Sequence, residues 1–167
     1  QPLVKHSYDN PIETITTNAI GTSNVLDSLL HIKKKVVAVM ITSDKVYDNV
    51  EWVWGYRETD EMGGKDPYSG SKASAELVIY SYFNSFFGSK NTNVKLGIAR
   101  AGNVIGGGDW AKDRIVPDCI RSWSKNKSAL INNPKSTRPW QHVLEPISGY
   151  LQLALKLNKN KNINGEA

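Results

Sequence analysis

Two short clusters in this 167-residue chain have residue types and spacings that could do chemistry. The first is Tyr68 followed four positions later by Lys72. On a helix, residues four apart share one face, about 6 Å from each other. A tyrosine ionises near pH 10, too high to serve as a base at neutral pH, and an ammonium one turn away stabilises the phenolate and lowers that value. The second cluster is Ser43-Asp44-Lys45, whose Ser43 hydroxyl can bond the same phenol oxygen. Together these make a base suited to removing an alcohol proton while a cofactor takes the hydride. Tyr-x-x-x-Lys is weak on its own, since a chain of this composition holds roughly 0.7 such pairs by chance. Its setting strengthens it: a helix start that follows a strand ending in Ser-Asp-Lys.

The elements around these clusters alternate helix and strand. Asn10 to Ile32 reads as a long helix, with Asn10 as cap, Pro11 at its first position and an apolar stripe through Ile15, Ala19, Leu26 and Leu29. Val36 to Ile41 is a β-branched apolar run, the pattern of a parallel strand buried on both faces. Ser43, Asp44 and Lys45 fall just beyond its C-terminal end, where open α/β sheets bind ligands. Val46 to Lys65 is a long loop carrying Trp52, Trp54 and Gly63-Gly64, either a binding loop or a surface excursion with its tryptophans packed inward. Asp66-Pro67 opens a helix that runs to about Phe87, with Gly88 as its stop. Val94 to Arg100 is a second strand. The glycine-rich loop after it, Ala101 to Gly108, is neither a GxGxxG fingerprint nor a P-loop. Arg114 to Asn126 predicts a helix with Val116, Ile120 and Trp123 on one face. Ala129 to Ile131 predicts a short strand, Arg138 to Val143 a compact polar and aromatic cluster, and Glu145 to Leu157 an amphipathic helix.

Composition bounds the function. Hydrophobic content of 40% and charged content of 22% are those of an ordinary globular chain. No apolar run approaches the roughly 20 residues of a membrane span, and the first residues are no signal peptide. One cysteine, Cys119, excludes an internal disulfide and fits a reducing compartment. The net charge of +5 reads as a solubilising surface, with Lys33-Lys34-Lys35 as a solvated helix end, or as attraction for an anionic substrate. Nucleic acid ranks last, because basic residues do not alternate with aromatics. No metal-ligating cluster stands out. Cys119 and His31 read as structural, and His142 as bonded locally.

The order of these motifs resembles the extended short-chain dehydrogenase/reductases that act on nucleotide sugars. Thr42 to Tyr47, Trp52-Val53-Trp54-Gly55-Tyr56, Gly102 to Trp110 and Arg138-Pro139-Trp140-Gln141-His142 are similar, within that group, to the CDP-glucose 4,6-dehydratases. The resemblance covers essentially the whole chain. It implies an α/β Rossmann-like doubly wound parallel sheet, of which this chain holds the C-terminal half, with part of a smaller substrate-binding domain. Residues 1–105 would be a partial NAD-binding domain with the catalytic residues, and 106–167 largely the substrate-binding region. It implies NAD as cofactor, CDP-glucose as substrate and CDP-4-keto-6-deoxyglucose as product. It also implies a homodimer, a cytoplasmic enzyme, and a place in deoxysugar, O-antigen and lipopolysaccharide synthesis. Neither nucleic acid nor membrane is an expected partner.

Carried over position by position, the resemblance implies that Tyr68 deprotonates the glucose 4-hydroxyl while hydride passes to NAD. A proton then leaves C5, water leaves from C6, and hydride returns to C6. Ser43 supports the phenol. Lys72 holds the cofactor ribose and tunes Tyr68. Asp44 protonates the departing C6 hydroxyl. Lys45 stands where many dTDP-glucose dehydratases carry Glu, and its role stays open. It is either a C5 base with a depressed pKa or a cation that stabilises the enolate, and the bland alternative is a surface ion pair with Asp44. Asn18 either approaches NAD or is structural. Asn103, Arg114 and Arg138 are candidates for the substrate diphosphate, Arg138 foremost because guanidinium pairs bidentately with phosphate. The alternatives in function are another nucleotide-sugar dehydratase or epimerase of the same group, and a non-catalytic NAD-binding module. The start at Gln1 and the end at Ala167 suggest an internal fragment, inactive alone, whose pyrophosphate-binding glycine turn lies upstream.

Overall fold

The computed structural model describes residues 1–89, 92–159 and 163–165. Its elements, in order, are α1 (Val4–Asp9), α2 (Pro11–Ile15), a π turn (Thr16–Ile20), α3 (Gly21–Leu30), β1 (Val36–Ile41), a 3₁₀ turn (Asp44–Val46), α4 (Pro67–Tyr82), a second π turn (Phe83–Phe87), β2 (Val94–Ala99), β3 (Asn103–Ile105), α5 (Ile115–Trp123), β4 (Trp140–His142) and α6 (Leu144–Lys159).

The centre is a parallel pair. β1 and β2 run in register from Val36 opposite Val94 to Ile41 opposite Ala99. Side chains alternate across such a ladder. Leu96 and Ile98 point to one face, where they join Leu26 of α3 and Ile79 of α4 in the buried core. Gly97 points to the other, where its missing side chain leaves room for Leu153 and Leu157 of α6. Helices therefore cover both faces of a parallel sheet, the doubly wound arrangement expected. A separate two-stranded sheet pairs β3 with β4, again parallel.

The long first helix exists in a different form. It is preceded by α1 and broken by a π turn at Thr16–Ile20 that contains Asn18. Asn10 stands at its start but makes no side-chain cap, while Pro11 takes the first position as read. Ile15 of the proposed apolar stripe is exposed, while Ala19 and Leu26 are buried and Leu29 packs partly buried against the core. The inserted π residue rotates the face by about 100°, which breaks the stripe's register.

Three further expectations change. Ala129–Ile131 forms no strand: β3 pairs instead with Trp140–His142, so the cluster at 138–143 is itself partly a strand. On α5 the apolar residues Ile120 and Trp123 face outward, and only Pro117 is buried. The tryptophans of the long loop are not packed inward: Trp54 is 75% exposed. Among the described residues no helix is long and apolar enough to cross a membrane.

The start of α4 is fixed as its sequence predicts. The Asp66 carboxylate accepts from the Ser69 N–H at 2.9 Å and the Ser69 hydroxyl at 2.7 Å, and Pro67 occupies the first turn. Gly64 brings the long loop against this helix start. A Cβ there would run into the Ser69 and Gly70 backbone. Gly64→Ala in the intact protein is therefore expected to cost about 1–3 kcal/mol by urea denaturation and to open the 48–65 loop to protease.

Candidate functional site

β1 ends at Ile41, and the backbone turns immediately. The Asp44 N–H donates to the Ala101 carbonyl at 3.1 Å, which ties the turn to the loop after β2. The Lys45 N–H donates to Ser43 Oγ at 3.2 Å, capping the 3₁₀ turn. Ser43 is thereby held, buried, with its hydroxyl against the Tyr68 phenol, and the Asp44 carboxylate accepts from the same hydroxyl at 3.1 Å. The Tyr68 backbone is held at both its N–H and its carbonyl. Its N–H donates to Ser7 Oγ of α1 at 3.1 Å, and its carbonyl accepts from Ser71 Oγ at 2.7 Å. Ser71 in turn accepts from Asn18 Nδ2 at 2.9 Å, so the π turn braces the first turn of α4. Such π turns recur at functional sites.

The electrostatics depart from expectation. The Tyr68 phenol is raised above its ordinary value, the reverse of the lowering expected from Lys72. Burial is the largest cause, and Asp44 and Asp66 add to it. The Ser43 hydrogen bond and the Arg114 charge act in the opposite direction. Lys72 itself is lowered, first by burial, with Glu76 opposing. Desolvation pushes both partners towards their neutral forms. Among the described residues the Lys72 ammonium takes part in no ion pair.

The remaining candidates divide. Lys45 is half-buried beside Ser43, and no ion pair joins it to Asp44 among the described residues. Arg114, the residue preceding α5, comes near enough to Tyr68 to act on it by charge. Its Nε is buried and lies 3.2 Å from an Asp109 oxygen, too poorly aligned to donate to it. Asn103 sits on β3 opposite Trp140, two residues from Arg138, so the small ladder brings those two candidates to one edge. Arg138 is exposed and donates to the Thr137 carbonyl at 2.7 Å, and no described contact ties it to Tyr68.

An open cleft of about 420 Å³, lined among others by Asp44, Tyr47, Arg100, Gln141, Glu145 and Tyr150, meets the site at Asp44. Tyr68 and Lys72 lie outside its lining, so the cleft adjoins the site rather than forming it.

Sequence reading passed over one group. Glu76 is 2% exposed, accepts from the Thr42 hydroxyl and is gripped by Arg100 through three nitrogen–oxygen contacts. The signal was present: Tyr68, Lys72 and Glu76 recur every four residues, one face of α4.

Comparison with known proteins follows the same lines. The model of the GDP-mannose 4,6 dehydratase family matches residues 1–165. The chain is 56% identical over 160 residues to the CDP-glucose 4,6-dehydratase of Salmonella typhimurium, covering 94% of this chain and 45% of that one. It is 27% identical over 158 residues to the dTDP-D-glucose 4,6-dehydratase of Dictyostelium discoideum, covering 88% of this chain and 35% of that one. The chain thus spans about half the length, or less, of the curated relatives it matches. Among solved structures, DesIV, a dTDP-glucose 4,6-dehydratase from Streptomyces venezuelae with NAD bound, superposes with a TM-score of 0.76 at 21% identity, over 94% of this chain and 45% of that one. Pal from Bacillus thuringiensis gives 0.81 at 23% identity, over 99% of this chain and 50% of that one. The fold is the Rossmann-like α/β fold of these proteins.

The Ser43 bond favours the phenolate, so Ser43→Ala in the full-length protein is expected to move the Tyr68 titration to still higher pH. Ring-¹³C NMR, assigned with Tyr68→Phe, reads this directly, and a downward move or none contradicts the geometry. Because the folded value is raised, the Tyr68 contribution to stability is full below pH about 10 and is lost as pH rises through the folded value.

Proposed function

This chain belongs to the GDP-mannose 4,6-dehydratase family, and we propose that it is the part of an NAD-dependent CDP-glucose 4,6-dehydratase that carries the proton-transfer residues. The observation that carries the reading is the Ser43 hydroxyl beside the Tyr68 phenol at the end of β1, with Lys72 one turn further along the same face of α4. The choice of CDP-glucose rests on the 56% identity to the Salmonella enzyme.

In this reading Tyr68 takes the proton from the sugar 4-hydroxyl. Ser43 turns its hydroxyl from Asp44 to the phenolate as that charge forms. NAD, when bound, would supply hydride acceptance and return and a positive charge, and Lys72 and Asn18 are the residues of this chain that would hold it. The residues present fit that group. Among the described residues the Lys72 ammonium is in no ion pair and would hold ribose hydroxyls, and burial, which raises the Tyr68 phenol, is offset by an added positive charge. In this reading Asn18 approaches the cofactor, and its amide holds Ser71 and so the Tyr68 carbonyl. Asp44 donates the proton that the leaving C6 hydroxyl needs. Lys45 removes the C5 proton or stabilises the enolate. Arg114, Asn103 and Arg138 receive the nucleotide diphosphate.

We extend the proposal to the assembly. Residues 1–105 form the cofactor and catalytic domain, 106–167 lead into the substrate domain, and α6 packs back on the sheet. A homodimer is supported by α2 and α4, which pack on each other and leave Ile12, Ile15, Leu77 and Tyr80 exposed. A cytoplasmic enzyme of deoxysugar and lipopolysaccharide synthesis fits this chemistry.

The glycine turn that binds a dinucleotide pyrophosphate is not in this sequence, so the test uses the full-length protein. Incubated with CDP-glucose, it is expected to yield a 4-keto sugar, read by its alkali-induced absorbance. Product from another nucleotide sugar and none from CDP-glucose overturns the choice of base. Lys45→Met is expected to oxidise C4 while retaining the C6 oxygen, as mass spectrometry of the sugar shows. Normal 6-deoxy product from that variant removes Lys45 from the mechanism.

A further inference from the structure

Glu76 has no role in the steps above, yet it is the most buried charged side chain of the site. It lies one turn beyond Lys72 and two beyond Tyr68 on the same face of α4. Its carboxylate accepts from the hydroxyl of Thr42, the residue immediately before Ser43. It is bound by Arg100, which follows β2, with Nε at 2.8 and 3.0 Å from the two carboxylate oxygens and a further contact through Nη2. Arg100 does not stop there. Its Nη1 donates to the Tyr47 hydroxyl at 2.8 Å and the Glu58 carbonyl at 3.1 Å, and its guanidinium carbon lies 4.8 Å from the Tyr47 ring centre. Tyr47 stacks on Tyr56 at 5.0 Å, and Tyr56 meets Trp52 at 5.3 Å.

One buried ion pair therefore ties together the ends of both parallel strands, the catalytic helix and the aromatic loop. We propose that Glu76 and Arg100 are positioning residues for the Tyr68 site: through Thr42 the carboxylate sets Ser43 against the phenol, and through Tyr47 the guanidinium sets the aromatic loop along the cleft that meets the site at Asp44. The proposal rests on the dehydratase reading only for what the positioned groups do. The placement of Ser43 against Tyr68 is independent of it.

Two features support positioning over mere stability. The Thr42 hydroxyl is an extra ligand, since Arg100 already engages both oxygens of the carboxylate. Burial works against the Arg100 charge, yet bonds to Glu76 and Tyr47 hold it above the ordinary range, so its contacts stay directional rather than slack.

The discriminating substitution is Thr42→Val in the full-length enzyme. It is close to isosteric, leaves the Glu76–Arg100 pair in place, and removes only the link to the Ser43 backbone. The expected result is a kcat lower by about tenfold or more, because sub-ångström misplacement of a reacting group is costly. The KM for CDP-glucose should stay within about twofold, since no substrate contact is lost. The Tyr68 ring-¹³C titration should move to higher pH, as the Ser43 bond loosens. Thr42→Ser keeps the hydroxyl and should restore both readouts. A Tyr68 titration that Thr42→Val leaves in place overturns the proposal, and so does a Thr42→Ser variant as impaired as Thr42→Val. If the wild-type enzyme yields no 4-keto sugar from CDP-glucose or from any other nucleotide sugar, the dehydratase reading fails, while the titration still decides the positioning role.

Discussion

A buried carboxylate is the constraint from which the site's geometry follows. Glu76 sits in the second row of a parallel sheet's helical cover, where an isolated anion is untenable. Arg100 neutralises it, with its side chain only 10% exposed. Forming such a pair contributes little net stability, because desolvation offsets the attraction, but breaking it by removing one partner costs about 3–5 kcal/mol. That asymmetry makes the pair a specification device. Any packing of α4 against the sheet that separates Glu76 from Arg100 leaves two bare charges inside. The register of β1 and β2, which places Thr42 and Arg100 at neighbouring strand ends, and the rotation of α4, which aims Tyr68, Lys72 and Glu76 the same way, are selected together.

The apolar core works on the same elements from the other side. Leu26, Ile79, Leu96 and Ile98 hold α3 and α4 on one face of the strands, and Leu157 holds α6 on the other. Hydrophobic contacts are non-directional and leave an amphipathic helix some freedom to slide and roll. The Asp66 cap, the Ser7 bond to the Tyr68 N–H and the Asn18–Ser71 link are directional, and all act in the first turn of α4. The core supplies the free energy, and a small number of buried polar bonds choose which of its packings survives.

Legibility in the sequence divided along that line. Local rules recovered local facts: the Asp66-Pro67 helix start, the β-branched strand at 36–41, and Tyr68 and Lys72 on one face. Ser43 and Tyr68, 25 positions apart, could be paired because strand ends and helix starts converge in an α/β fold. What pattern could not supply was non-local. The π turn around Asn18 adds one residue per turn and shifts the apolar face, and no residue type announces it. β4 is three residues long, and its partner lies 37 positions away at β3, so Ala129–Ile131 looked equally good as a strand. Thr42 and Glu76 are bonded across 34 positions and Arg100 and Glu76 across 24, and periodicity alone named neither partner.

The same non-locality explains why the lysine rule predicted the wrong direction for Tyr68. The rule counts one ammonium at helical spacing and assumes that the phenol sees it through a solvent-like medium. In the folded chain the phenol is 8% exposed and has Asp44 and Asp66 in its field, and Lys72 is itself driven towards neutrality by burial. Loss of hydration then outweighs the Ser43 hydrogen bond and the Arg114 charge, which act in the other direction. The raised Tyr68 phenol is therefore a consequence of the same packing that aims it.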